Sequence, residues 1–235
     1  ISQLLSGLLC LFYMKKKFPI LHFQKGELRL EKHYYKRLLF IGVPMGLQYS
    51  ITAIGSVVLQ TAVNGLGAAP MAAITAGQRI SGFCCCVFDA LGATMATYAG
   101  QNSGAREYKR IDRGLWDATK IGSIYAILIC ILLILFGGEI PKIFIDGKER
   151  EVLDMTKQFL VANSLFFIPL VFVNCWRFTI QGMGFSGFAM LAGVSEMIAR
   201  SLVAFIFIPI FGYIAACYAS PLAWLFADIF LVPAF

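Results

Sequence analysis

An all-α, polytopic membrane bundle is the fold class this chain predicts, and three observations carry the prediction. Apolar stretches of span length follow one another almost end to end: residues 115–136 hold only Asp117 and Lys120 as charges, and residues 189–211 only Glu196 and Arg200. Crossing a bilayer core as helix takes about 20 apolar residues, whereas a soluble surface helix of that length keeps a polar face. The composition, 59% hydrophobic and 14% charged over 235 residues with mean hydropathy +0.75, would leave a soluble domain too little polar surface to meet water. The loops alternate between basic and not, the pattern of a chain oriented by cytoplasmic Lys and Arg. The net charge of +7 therefore sits in loops rather than on one face, which excludes a nucleic-acid binder.

The elements follow in order. Residues 1–14 run apolar into Lys15, Lys16 and Lys17. A signal peptide places its charges before the apolar core, so this order reads as the tail of a helix reaching the cytoplasm. Because the chain starts without Met and stops inside an apolar run, it is expected to be part of a longer one. Residues 15–36 form a cytoplasmic linker; up to Arg37 the stretch holds eight Lys and Arg, with His22 and His33 as solvated surface groups. Six spans follow within 37–235, at 37–63, 71–99, 114–136, 157–180, 186–211 and 214–235. Pro44, Pro169, Pro209 and Pro221 fall inside them and are tolerated in a bundle, where they mark kinks. The charge alternation puts 15–37, 101–113 and 182–185 in the cytoplasm, and 64–70, 137–156 and 212–213 outside.

Cys84, Cys85 and Cys86 are consecutive. Helical neighbours point about 100° apart, so they cannot converge on one metal; they read as packing residues. Cys10, Cys130, Cys175 and Cys217 stand singly in apolar runs, and neither a disulfide framework nor a metal site is expected.

Several polar residues stand inside the spans. Gln48, Thr52, Ser56, Gln60 and Asn64 recur at i,i+4, a row that winds about 40° per step. Such a row lines a wet cavity, where it binds substrate or water, or else supplies interhelical hydrogen bonds. Asn163, Asn174, Arg177 and Gln181 share one helical face across Pro169, which can hinge the helix. Asn163 and Asn174 are cavity candidates; Arg177, near the cytoplasmic end, is expected to snorkel. Three carboxylates lie within spans: Asp89, Glu196 and Asp228. An intramembrane carboxylate is expensive unless paired or protonated, which suits a coupling-ion site. Asp89 has no basic residue one turn away and is the preferred titratable group. Glu196 is the second candidate, although Arg200 one turn on accounts for it as an ion pair. At the exit of the 71–99 span, Gln101 and Asn102 can satisfy carbonyls left free at the helix end.

The same exit carries a resemblance. Gly100-Gln101-Asn102-Ser103-Gly104-Ala105, with Arg113 beyond, resembles the multidrug and toxic compound extrusion (MATE) transporters. So do Gly42-Val43-Pro44-Met45-Gly46-Leu47-Gln48, and Gln181-Gly182-Met183-Gly184 followed by Gly193, Glu196, Arg200, Gly212 and Pro221-Leu222-Ala223-Trp224. The resemblance implies a twelve-helix protein of two six-helix lobes, of which this chain holds the end of helix six, the linker and the second lobe. Gln101, Asn102 and Arg200 would then have structural or gating roles. Thr52 and Leu170 stand where one branch of the family carries acidic residues, so the chain resembles the DinF-like bacterial branch, whose coupling carboxylate lies in the first lobe.

The implied function is secondary antiport: export of amphipathic, often cationic, organic compounds in exchange for H⁺ or Na⁺ by alternating access. The implied setting is a bacterial inner (plasma) membrane, with the bilayer, drugs and the missing first lobe as partners and no cofactor beyond the coupling ion. A flippase of lipid-linked saccharides on the same fold is the alternative. An enzyme is not expected: no His lies in a span, and no Ser/Lys or paired Glu set stands at one-turn spacing.

Overall fold

The computed structural model describes residues 2–19, 31–143 and 149–235. The chain divides into two compact units, Ile1–Phe40 and Ile41–Phe235. In the first, α1 (Ser2–Lys17) buries no residue and ends on its three lysines, and the His33 ring meets Tyr34 edge-on. His22, Lys25 and Arg29 of the expected linker lie outside the described residues.

Every regular element among the described residues is a helix. After α1 come α2 (Lys32–Asn64), α3 (Ala68–Gly104), α4 (Tyr108–Phe136), a 3-10 turn (Ile140–Ile143), α5 (Arg150–Ser164), α6 (Phe167–Gly182), α7 (Ser186–Leu202), a π segment (Val203–Phe207), α8 (Ile208–Phe211) and α9 (Tyr213–Ala234). Five of these stretches are long and apolar enough to cross a membrane, and α5 with α6 makes a sixth if that pair, bent by 52°, is one span.

Two expected segments differ in form. The 157–180 stretch is two helices, broken at Leu165 and Phe166 and starting at Arg150. Pro169 has no N–H for the carbonyl of Leu165, and its ring crowds that carbonyl, so the ladder opens just upstream of the proline. The 186–211 stretch is interrupted by the π segment, beyond which Pro209 sits at the first turn of α8. Helix α2 starts at Lys32, several residues before the expected 37.

The second unit is organised around α6, which packs on α3, α4, α7 and α9. Phe88, Leu115, Leu133, Phe167, Val171 and Leu231 are each buried to 1% exposure or less and belong to its main core. A second cluster joins Leu59, Val63, Ile74, Phe159, Val203 and Cys217. Small residues permit the close crossings: Gly92 meets the Phe178 ring, and Gly182 lies against the backbone of Ala96. In contrast, Ile121, Ile124, Leu128, Ile131 and Leu135 of α4 are exposed by 50–70% and lie on one face, a lipid-facing stripe. Several hydroxyls inside spans are satisfied locally: Thr94 donates to Ala90 O, Thr119 to Leu115 O and Thr179 to Cys175 O, the usual i−4 back-bond. The seven cysteines are all free.

Candidate functional site

The most unusual chemistry in the second unit is a buried ion cluster, built by the turn between α6 and α7. Helix α6 ends at Gly182, and Gly184 adopts φ +95°, the left-handed region that glycine enters without steric cost. Gly184 N donates to Gln181 O at 2.9 Å and Phe185 N to Ile180 O at 3.1 Å, closing the helix with its last carbonyls satisfied. The chain then returns as α7 beside α6, so residues nineteen apart come together: Arg177 Nη2 donates to Glu196 Oε1. Arg200, one turn along α7, brings Nη1 to 3.3 Å from Glu196 Oε2. The side chains of Arg177, Glu196 and Arg200 are 11%, 4% and 10% exposed. Asp228 of α9 lies within electrostatic reach of Arg177 and Glu196, and its Oδ1 is buried without a hydrogen-bond partner among the described residues.

This placement corrects two expectations. Arg177 does not snorkel; it turns inward, because Glu196 on the neighbouring helix offers a counter-charge. Glu196 is also not paired with Arg200 alone but bridges two arginines on two helices. Paired charges of this kind hold only when their remaining polar atoms are satisfied, and here Arg177 Nε and Arg200 Nη1 still lack hydrogen-bond partners among the described residues.

The polar row on α2 divides, as its winding demands. Gln48 is 3% exposed and accepts from Gln181 Nε2 at 2.5 Å, joining α2 to α6. Thr52 and Gln48 border Gly193, where a Cβ would meet Gln48 Cγ at 3.0 Å and Thr52 Oγ1 at 3.4 Å. Ser56 donates back to Thr52 O at 3.1 Å, and Gln60 Nε2 donates to Asn64 Oδ1 at 3.0 Å. Ser56 and Gln60 line a cavity of about 70 Å³, while Asn64 is exposed.

Asn163 and Asn174, expected on a cavity wall, sit inside the bundle instead. Asn163 Nδ2 donates to Phe159 O at 2.9 Å and to Cys217 O at 3.1 Å, tying α5 to α9; the helix break assigns it to α5 and Asn174 to α6. Asn174 Nδ2 donates to Leu170 O at 3.3 Å. Asp89 is exposed on α3. At the α3 exit Asn102 Nδ2 donates to Tyr98 O at 2.8 Å, and Asn102 O accepts from Glu107 N at 2.9 Å; Gln101 is exposed. Among the described residues no group of His, Cys, Asp and Glu could hold a metal. Arg177 and Asp228 are the cluster members that sequence reasoning did not assign, since their partners come from other helices.

The Gln48–Gln181 contact gives a direct prediction. A double-mutant cycle with Gln48→Ala and Gln181→Ala, read by reversible unfolding in micelles, is expected to return a coupling of about 0.6 kcal/mol, with about 1.7 kcal/mol as the ceiling. A coupling of zero would mean that the two amides do not interact.

A bundle of five or six apolar spans, lipid-facing outside and charged at one point inside, defines a polytopic membrane protein. The MatE family model matches residues 44–206, and the chain belongs to that family. It is 25% identical over 189 residues to the probable multidrug resistance protein YoeA of Bacillus subtilis (strain 168), covering 77% of this chain and 37% of that protein. It is 27% identical over 168 residues to the probable multidrug resistance protein YpnP of the same organism, covering 72% and 36%. The chain thus spans little more than a third of the length of either relative. Among solved structures, an outward-facing multidrug resistance MATE family transporter of the MOP superfamily superposes with TM-score 0.77 at 21% identity, over 84% of this chain and 44% of that one. A MOP superfamily transporter from Pyrococcus furiosus, described as having a binding pocket of reverse polarity that suggests a different function, gives the same values. The likeness to these structures establishes a shared fold.

Proposed function

We propose that this chain supplies the second lobe of a secondary antiporter that exports amphipathic, often cationic, organic compounds in exchange for H⁺ or Na⁺. The reading is carried by family membership over 44–206, supported by two relatives named as probable multidrug resistance proteins. A first lobe would complete the central cavity, and the two lobes would rock between orientations, cation binding favouring one and drug binding the other. The setting is a bacterial inner membrane.

Among the coupling candidates, Asp89 fits the role better than Glu196. Both oxygens of Glu196 face arginines, which hold the side chain in place. Asp89 is exposed within an apolar helix, and a carboxylate facing lipid alone would be costly, so it serves best where the partner lobe or water meets α3. The substrate cavity would draw on the less buried side of the α2 row, exposed Ser56 and Asn64 with half-buried Gln60. The lipid-saccharide flippase is the weaker reading, because two of the three span arginines, Arg177 and Arg200, are buried against Glu196 rather than turned toward a pyrophosphate.

The test is reconstitution in sealed proteoliposomes with a fluorescent cationic dye and separately imposed pH and Na⁺ gradients. The chain alone is expected to move no dye. A version extended by a first lobe is expected to move dye under one gradient and stop with the matching ionophore, and Asp89→Asn is expected to reduce that movement at least tenfold. Dye export by the chain alone would defeat the lobe assignment, and gradient-driven export unchanged by Asp89→Asn would remove Asp89 from coupling.

A further inference from the structure

A groove of about 570 Å³ between α5 and α9 takes in neither the ion cluster nor the polar row of α2. Its volume falls within the roughly 300–1,000 Å³ of sites that take organic molecules. Two hydrogen bonds hold its walls together: Tyr213 Oη donates to Met155 O at 2.6 Å, and Asn163 Nδ2 donates to Cys217 O at 3.1 Å. The earlier residues of the two helices pair, as do the later ones, so α5 and α9 run side by side in the same direction. The lining changes character along that direction. Glu151, Asp154 and Lys157 come first, on exposed turns of α5. Leu165 and Tyr218 lie toward the other end, and Ile214 adds an apolar wall; these three are exposed by 55%, 38% and 58%.

Taken as the first half of the bent α5–α6 span, α5 starts at a bilayer surface. From Glu151 to Lys157 the helix rises about 9 Å, comparable with the roughly 5–8 Å of headgroup region on each side of the hydrocarbon core. Leu165 lies about 21 Å along from Glu151, inside the hydrocarbon. At headgroup depth the charges are free: Glu151, Asp154 and Lys157 make no ion pair or hydrogen bond through their side chains among the described residues. Lys157 stands three positions from Asp154, yet its stem lies against Gly137 and Gly138 at the end of α4, within 3.9 Å of the Cβ either would carry. A ligand with only positive charge would meet Lys157, and one with only negative charge would meet two carboxylates. A zwitterionic phospholipid satisfies both signs, its ammonium at Glu151 and Asp154, its phosphodiester at Lys157 and its chains along Leu165 and Tyr218. A primary ammonium brings three N–H donors to the two carboxylates in charge-assisted bonds; a quaternary ammonium brings none.

We propose that the α5–α9 groove is a binding site for a phospholipid of the ethanolamine class, taken from the leaflet that α5 enters. The site is independent of drug transport and of the coupling ion, and needs only that the chain lie in a bilayer.

The probe is dioleoyl phosphatidylethanolamine, compared with the phosphatidylcholine of the same chains. With the full chain in micelles, native mass spectrometry is expected to show the ethanolamine lipid retained at least tenfold more tightly. Glu151→Gln with Asp154→Asn is expected to erase that difference and leave both lipids at the phosphatidylcholine level. Lys157→Gln is expected to weaken both, since both carry the phosphate. All three side chains are exposed, so circular dichroism is expected to remain that of the unaltered chain. Equal retention of the two lipids by the unaltered chain would overturn the proposal. So would a preference that survives the double carboxamide variant, which would place the lipid elsewhere. Tighter retention of phosphatidylglycerol, or displacement of the ethanolamine lipid by equimolar tetraphenylphosphonium, would overturn it in favour of an anionic-lipid or an organic-cation site.

Discussion

Glu196→Gln is expected to lower the stability of the bundle by about 3–5 kcal/mol, the cost of leaving buried charge uncompensated. The substitution preserves shape but removes the negative charge that both Arg177 and Arg200 touch and replaces one acceptor oxygen with an NH₂ donor that faces an arginine. Both arginines are about nine-tenths buried, at 11% and 10% side-chain exposure, so solvent screening softens the loss only a little. A fourfold replacement, Glu196→Leu with Arg177→Leu, Arg200→Met and Asp228→Asn, is expected to recover most of that stability, because an uncharged set of similar volume has no charge to desolvate. Unfolding in micelles measures both. A single variant within about 1 kcal/mol of the unaltered chain would mean that the cluster is hydrated and solvated rather than paired.

At the crossing of α3 and α6, Gly182→Ala is expected to cost stability at the upper end of the roughly 1–3 kcal/mol range for overpacking. The added Cβ would meet the carbonyl oxygen of Ala96 and lie 2.9 Å from its Cα. That obstacle is backbone, so the two helices must part. By comparison, Gly104→Ala meets nothing within 4 Å and is expected to be neutral or to stabilise by up to about 1 kcal/mol, through the lost freedom of the unfolded chain. The same unfolding measurement, applied to both variants, checks the contrast; equal effects would show that α3 and α6 do not cross at Gly182.

These two results rest on features that differ in how far sequence reveals them. Hydropathy exposes the spans because lipid demands long apolar runs, and the strings around Gly42, Gly100 and Gln181 gave the family. Helix α5 escaped hydropathy: Glu151, Asp154 and Lys157 break the apolar window, although Val152, Leu153, Thr156 and Phe159 form a buried face. Within the site, the Glu196–Arg200 pair was legible because one turn separates the residues. Arg177 and Asp228 were not, since nothing local states which helices neighbour each other. The Gln48–Gln181 bond, 133 positions apart, belongs to the same class. Asp89 was legible as a charge in a span, but the face it occupies is set by how α3 packs on α5 and α6.

The π segment at Val203–Phe207 has a consequence for how this span tolerates changes of length. In a regular helix, one residue more or less rotates everything beyond it by about 100°. A π turn accommodates an extra residue while the helix on each side keeps its facing. Arg200 and the start of the segment are three positions apart, whereas Ile208 packs into the apolar cluster on the far side. The segment thus acts as a splice between a charged half whose azimuth is fixed by Glu196 and an apolar half whose azimuth is fixed by α9. Insertions and deletions among relatives can be absorbed there without misaligning either half.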